Sequence, residues 1–186
     1  MPHATASQTV GPFLHIGFAW MDNGDLLAVA GSSIVGERIV IHGKLFDGDG
    51  APISDCAIEI WQADSEGRYA HAGDRGEPSA FTGFGRVATD ADGAFRFSTI
   101  KPGRVAGPNG TLQAPHIVVS VLARGVLKRL ATRIYFPDDA ANADDPILAL
   151  VPAERRATLI AKRRDDATLE WNVRIQGETE TVFFDI

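Results

Sequence analysis

The sequence predicts an all-β chain folded as an antiparallel β-sandwich, with an N-terminal arm and a minor helix. Three observations predict it. Short runs rich in Val, Ile and Phe recur along the chain, turn signals of the Asp-Gly kind separate them at fairly even spacing, and no stretch alternates strand with helix in a βαβ rhythm.

The first strand is expected over Arg38–Phe46, closed by the tight-turn residues Asp47 to Gly50. A second runs from Cys56 to Gln62, with Ile58, Ile60 and Gln62 alternating against Ala57, Glu59 and Trp61, and empties into a polar, Gly-rich loop, Ala63 to Gly85. Gly85 to Thr89, the turn Asp90 to Gly93, and Ala94 to Ser98 read as a hairpin with Phe95 and Phe97 on one face, stopped by Lys101-Pro102-Gly103. A further pair is expected from His116 to Arg124 and, after a turn at Gly125, from Leu127 to Phe136. Helical signals are confined to Pro152–Leu159, with proline in the first turn, and to the neighbourhood of Asp144 to Leu150. Thr168 to Gln176 and Thr181 to Ile186 close the fold as strands.

One domain is expected over 1–186, with 37–186 as the sandwich and 1–36 as an arm lying over it or over another chain. The single cysteine, Cys56, lies in an apolar run and reads as buried, so no internal disulfide and no cysteine-based zinc site is expected. No apolar run is long enough to span a bilayer and the first residues lack a signal-peptide pattern, which points to a cytoplasmic protein with no membrane partner. A net charge of −6 argues against nucleic acid, and the basic cluster Lys162-Arg163-Arg164, followed by Asp165-Asp166, reads as a solvated, self-paired face.

No Gly-x-Ser-x-Gly motif is present, and the glycines between Gly73 and Gly85 precede no helix, so neither hydrolase nor phosphate-loop chemistry is indicated. The donors for a metal are few, with five histidines and two tyrosines in the chain. On a strand, residues i and i+2 share a face, so His-x-His is a ready chelate; here His116-Ile117-Val118 places a valine where the second imidazole would stand. Read without further context, Tyr69 and His116 are polar residues satisfied by local hydrogen bonds, Gly11-Pro12 is a turn in the arm, and Arg133 is a surface residue on a strand.

Four blocks carry more than this. Ile60 to Tyr69, Phe84-Gly85-Arg86 with Thr89-Asp90, Thr99 to Gly103, and Ala114 to Ile117 resemble, in order and spacing, the core signature of the intradiol ring-cleavage dioxygenases. The resemblance implies an immunoglobulin- or transthyretin-like sandwich and O₂-dependent opening of a catechol ring at a non-haem Fe(III) held by two tyrosinates and two histidines. Matched residue by residue, this chain keeps Tyr69 and His116 but has Val105 and Val118 at the other two places, and Gln113 where iron-bearing chains carry an arginine. Valine offers no lone pair, and two ligands of four do not hold a hard trivalent ion against water.

This pattern of loss resembles the iron-free subunit of a two-chain member of the family, with similarity reaching the arm at Ser7 to Phe13 and the closing segment Ile175 to Asp185. The implied partner is an iron-bearing β chain in a hetero-oligomer, acting on an aromatic small molecule and O₂, with no metal of this chain's own. Gly11, Pro12 and Arg133 are the residues expected to reach into the partner's pocket and bind substrate. Two other readings remain open at this point: a non-catalytic sandwich that binds other proteins, and a self-contained dioxygenase drawing on Tyr135, Tyr69, His116 and either a histidine from the arm or His42.

Overall fold

The computed structural model describes residues 5–18, 23–30, 34–71, 81–165 and 167–185. Two sheets face one another. The first has the order β4-β1-β8-β7, with β9 also on β1, and the second the order β3-β2-β5-β6. The strands are β1 Arg38–Phe46, β2 Ala57–Trp61, β3 Phe84–Ala88, β4 Ala94–Ile100, β5 His116–Leu122, β6 Leu130–Tyr135, β7 Lys162–Arg163, β8 Thr168–Glu170 and β9 Val173–Arg174.

Alternation decides the faces. Ile39, Ile41 and Leu45 of β1 and Phe95 and Phe97 of β4 point inward against Ile58, Ile60, Val87, Ile117, Val119, Val121 and Ile134 of the second sheet. Burying each such side chain stabilises the fold by about 1.5 to 3 kcal/mol, which fixes the strand register. Cys56 lies in this core as expected, and burial pushes its thiol pKa up to about 11.

The sandwich is as expected, but one pairing differs. The turn Asp90 to Gly93 forms as a tight turn, yet β3 and β4 are not hairpin partners: β3 pairs with β2, and β4 pairs with β1 along a register from Arg38↔Ile100 to Lys44↔Ala94. The turn is a corner between the sheets. Period-two alternation specifies which side chains face inward but not which strand lies alongside, and both arrangements bury Val87, Phe95 and Phe97. The closing strands differ too: β8 and β9 run parallel to β1, making the first sheet mixed, while the last stretch forms only an isolated bridge, Ala131↔Phe184.

Three turns share one construction. Asp47, Asp64 and Asp90 each accept from the backbone N–H two and four residues on, at 2.8 to 2.9 Å. In each, a glycine at the third following position (Gly50, Gly67, Gly93) has positive φ. The sequence Asp-x-acid-Gly thus encodes a side-chain-braced reversal wherever it occurs.

Two short helices, α1 Pro12–Phe18 and α2 Leu26–Ala30, occupy the arm, where none was expected. Asp25 caps α2, its Oδ1 accepting from Leu27 and Ala28 N–H at 3.0 and 3.1 Å. Leu26 is only 1 % exposed and belongs to the main core. Ahead of it, Asn23 N–H donates to Arg86 O on β3 and Gly24 O accepts from Ser98 N–H on β4, so this segment ties the open edges of both sheets together. The early residues are thinly strand-like because they brace edges.

The helical signal after Pro152 is a 3-10 helix, Ala153–Thr158, joined by 3-10 turns at Ala140–Asp144 and Leu148–Leu150. The strand expected from Leu127 begins at Leu130, and Leu127 itself is exposed. Arg164 pairs with Glu170 on β8; Asp166, the second aspartate after the basic cluster, lies outside the described residues. Residues 72–80, the middle of the Gly-rich loop, lie outside the described residues, as do the first four residues and Ile186.

Candidate functional site

Of the residues that the family resemblance singles out, His116, Val118 and Arg133 gather on the outer face of the second sheet. Along one row of that face, Phe84, Trp61, Val118 and Arg133 stand side by side in register across β3, β2, β5 and β6, and His116 faces Tyr135 in the next row. Tyr69, in the loop beyond β2, stacks on Trp61 with centroids 5.9 Å apart and rings 6° from parallel, and also stacks with His71.

Two glycines hold the loops that complete the site. At Gly67, φ is +79° and an added Cβ would lie 2.0 Å from Arg104 O; at Gly103 it would lie 2.5 Å from Ser65 O. Gly103 N–H also donates to Asp64 O at 2.8 Å. Only residues without side chains permit this approach, which sets the loop bearing Tyr69 against the loop bearing Val105. Gln113 N–H then donates to Val105 O at 2.9 Å, linking that loop to the start of β5.

The four ligand places of the family resemblance therefore sit on neighbouring elements, but the donors do not fit a ferric ion. Val105 and Val118 present hydrocarbon. His116 is 4 % exposed; its Nδ1 lies 2.8 Å from Ala114 O and so donates to it, while burial and the nearby Arg133 guanidinium pull its pKa down to about 4. Tyr69 is half-buried and stacked on Trp61. Tyr135 cannot replace the missing phenolate: burial raises its pKa, and its hydroxyl donates to Asp145 Oδ1 at 3.0 Å. His42, another donor weighed for that role, lies exposed on β1 in the opposite sheet, while His3 of the arm lies outside the described residues. Among the described residues, no group of three or more His, Cys, Asp or Glu is placed to hold a metal ion.

Arg133 is the charged group of the row that holds Phe84, Trp61 and Val118. It is half-buried, with Nη1 donating to Gln113 Oε1 at 2.7 Å and reaching Tyr135 OH at 3.4 Å, and its guanidinium lies over the Phe184 ring at 5.8 Å. Gly11 and Pro12 are elsewhere. They open α1, and the arm is tied at Thr9, whose hydroxyl accepts from Gly125 N–H at 2.7 Å beyond the far end of β5. Arg133 stands opposite Val118, five residues from Ala123, or about 17 Å along the strand. The structure thus brings Tyr69, Val105, His116, Val118 and Arg133 together and leaves Gly11 and Pro12 apart from them.

Asp145 was not singled out by the sequence reading, yet it is fully buried. Its Oδ1 accepts from Tyr135 OH, Ile147 N–H and Leu148 N–H, and its Oδ2 accepts from Ala114 N–H at 2.7 Å. It fixes the start of β5 beside His116. An Asp followed by Pro146, three residues before Leu148, is an N-cap pattern and was the signal available for it.

Known proteins resemble this chain over most of its length. The family described as Dioxygenase matches residues 10–177. The chain is 46 % identical to the protocatechuate 3,4-dioxygenase alpha chain of Burkholderia cepacia, covering 98 % of this chain and 97 % of that one, and 38 % identical to the beta chain of the same organism over 77 % of this chain and 63 % of that one. Among solved structures, the dioxygenase domain of a dioxygenase carbohydrate-binding fusion from Streptomyces sp. SirexAA-E superposes with a TM-score of 0.61 at 25 % identity, over 93 % of this chain and 90 % of that one. Agreement over nearly the whole length sets aside the generic binding sandwich, and the family implies a non-haem ferric cofactor and, through its named alpha and beta chains, a hetero-oligomer. No helix among the described residues is long and apolar enough to cross a membrane. The chain belongs to the intradiol dioxygenase family, and within it to the protocatechuate 3,4-dioxygenase alpha chains.

Proposed function

We propose that this chain is the subunit of a two-chain protocatechuate 3,4-dioxygenase that does not hold the iron, and that it lends one wall to a pocket whose Fe(III) sits in a beta partner. The reaction is intradiol cleavage of 3,4-dihydroxybenzoate by O₂, both oxygen atoms entering 3-carboxy-cis,cis-muconate. The observation that carries the reading is the occupation of two of the four ligand places, 105 and 118, by valine on a face whose architecture is otherwise kept.

The ring-opening chemistry is the metal's, supplied by the partner, and no step of it runs through residues of this chain. What this chain supplies is charge and shape. Arg133, half-buried and held beside Tyr135, offers a guanidinium to the substrate carboxylate across the subunit boundary. At 4 to 6 Å in a partly dry site such a pair contributes on the order of 1 to 4 kcal/mol to binding. Gly11 and Pro12 complete the wall from the arm, whose Phe13 and Ile16 are 86 % and 65 % exposed and give α1 an apolar face for a partner. Because Thr9 ties the arm at the far end of β5, Gly11 and Pro12 reach the same pocket as Arg133 only when the arm exchanges that seat for the partner.

In this reading the chain is one domain, with 37–186 as its core and 1–36 as its arm, the second half of the arm being seated on the sandwich through Leu26. We place it in the cytoplasm, where its lone Cys56 stays reduced.

The test is expression with and without a beta chain. The chain alone should carry little iron and leave protocatechuate unchanged, whereas the complex should be coloured by tyrosinate-to-iron charge transfer and active. Near-stoichiometric iron in the isolated chain, or turnover by it, would overturn the proposal. In the complex, Arg133→Ala should weaken use of protocatechuate with iron content and assembly unchanged; loss of either would make Arg133 structural.

A further inference from the structure

Arg133 is held at one corner only. Nη1 is engaged by Gln113 Oε1 at 2.7 Å and by Tyr135 OH at 3.4 Å, and among the described residues Nε and Nη2 make no hydrogen bond. The Nε–Nη2 edge is one of the two forks by which a guanidinium grips a carboxylate in two parallel hydrogen bonds. Holding the opposite nitrogen leaves that fork presented.

Gln113 can hold it because its own amide has one orientation. Its Nε2 donates to Ala106 O at 2.7 Å, so Oε1 must be the end turned to Arg133. The backbone is pinned as well: Gln113 N–H donates to Val105 O at 2.9 Å, and Gln113 O accepts from Arg104 Nε at 3.3 Å. The Phe184 ring packs against the guanidinium and limits its swing. A neutral amide is also the right charge here. An arginine at 113 would set two cations together, and a glutamate would cancel the positive charge an anionic substrate needs.

We propose that Gln113 is a positioning residue that sets the Arg133 guanidinium so that its Nε–Nη2 edge receives the ring carboxylate, making the pair the determinant that favours a carboxylated catechol over catechol itself. This rests on the reading of Arg133 as a wall of the partner's pocket.

The experiment uses the assembled complex with Gln113→Met, close to glutamine in shape, Gln113→Glu, Arg133→Ala, and Arg133→Ala combined with Gln113→Met. Kinetics are measured with protocatechuate and with catechol, and binding of 4-hydroxybenzoate is measured separately from turnover. Gln113→Met should raise KM for protocatechuate and Kd for 4-hydroxybenzoate on the order of tenfold, with kcat and the constants for catechol within about twofold. Gln113→Glu should weaken 4-hydroxybenzoate at least as much, and Gln113→Met should add nothing once Arg133 is alanine. If Arg133→Ala weakens protocatechuate but Gln113→Met does not, or if the two losses add in full, Gln113 does not position Arg133 and the inference falls while the wall remains. If Arg133→Ala itself changes neither constant, Arg133 is outside the pocket and both fall.

Discussion

Tyr135 donates its hydroxyl to Asp145 Oδ1 at 3.0 Å, and neither residue touches solvent. The carboxylate is satisfied on all sides, so Asp145→Ala leaves the N–H groups of Ala114 and Leu148 and the proton of the Tyr135 hydroxyl buried without an acceptor. That should cost about 3 to 5 kcal/mol. Tyr135→Phe removes one donor and leaves Asp145 with three N–H groups, which should cost about 1 kcal/mol. Urea unfolding of the two variants checks the order; equal losses would show that the hydroxyl, not the cap on the 3-10 turn, is what matters.

His116 makes the fold sensitive to acid. Its folded pKa is lowered from 6.5 to about 4 by burial and by Arg133. The unfolded chain therefore takes up a proton at a pH where the folded chain does not. The stabilisation is complete above about pH 6.5 and declines as pH falls toward 4, by about 3 kcal/mol at most from this residue. Thermal unfolding of the complex at stepped pH should show a decline across this window that His116→Gln flattens. An unchanged slope in that variant would assign the acid sensitivity to other groups.

Gly43 lies at the middle of β1, opposite Phe95, and an added Cβ would fall 2.1 Å from Trp171 O and 2.2 Å from Phe95 Cζ. Neither neighbour has room, since one is backbone and the other is locked in the core. Gly43→Ala should lose about 3 kcal/mol or more. A variant with an unfolding midpoint near that of the parent would mean that the Trp171 backbone and Phe95 shift more easily than their packing implies.

The donor argument has a constructive test. Val105→Tyr together with Val118→His restores the four donor types at the places the family uses. The double variant should take up iron and gain a visible charge-transfer band that neither single variant shows. Metal analysis and absorption decide it, and a colourless, iron-free double variant would mean that the surrounding face, with Arg133 opposite position 118, bars the ion by charge or shape as well as by composition.

The sequence carried the faces of the strands but not their neighbours. Ile58, Ile60, Phe95 and Phe97 announced their inward orientation by alternation, and the Asp-Gly runs at 47–50 and 90–93 announced their turns, because both signals are local. The partner of β4 was not legible: its hydrogen bonds go to β1, some fifty residues earlier in the chain, and no local propensity records that. The helix α2 was missed because its stability comes from Leu26 in the core and from the Asp25 cap, in a segment too short to show a period. At the site, the absence of donors at Val105 and Val118 could be read directly. The hold of Gln113 on Arg133 could not, since it joins a loop to a strand twenty residues on.

The parallel pairing of β8 with β1 has a consequence for how the protein is made. β1 gains β4 early, but more than a hundred residues separate Phe46 from Thr168, so on the ribosome its other side stays open through most of translation. An unpaired strand of nine residues rich in Ile and Val is a template for other chains. A nascent or truncated product ending before residue 168 should accordingly depend on chaperones and precipitate without them, and release of the intact C-terminal segment, rather than collapse of the core, becomes the event that seals the first sheet.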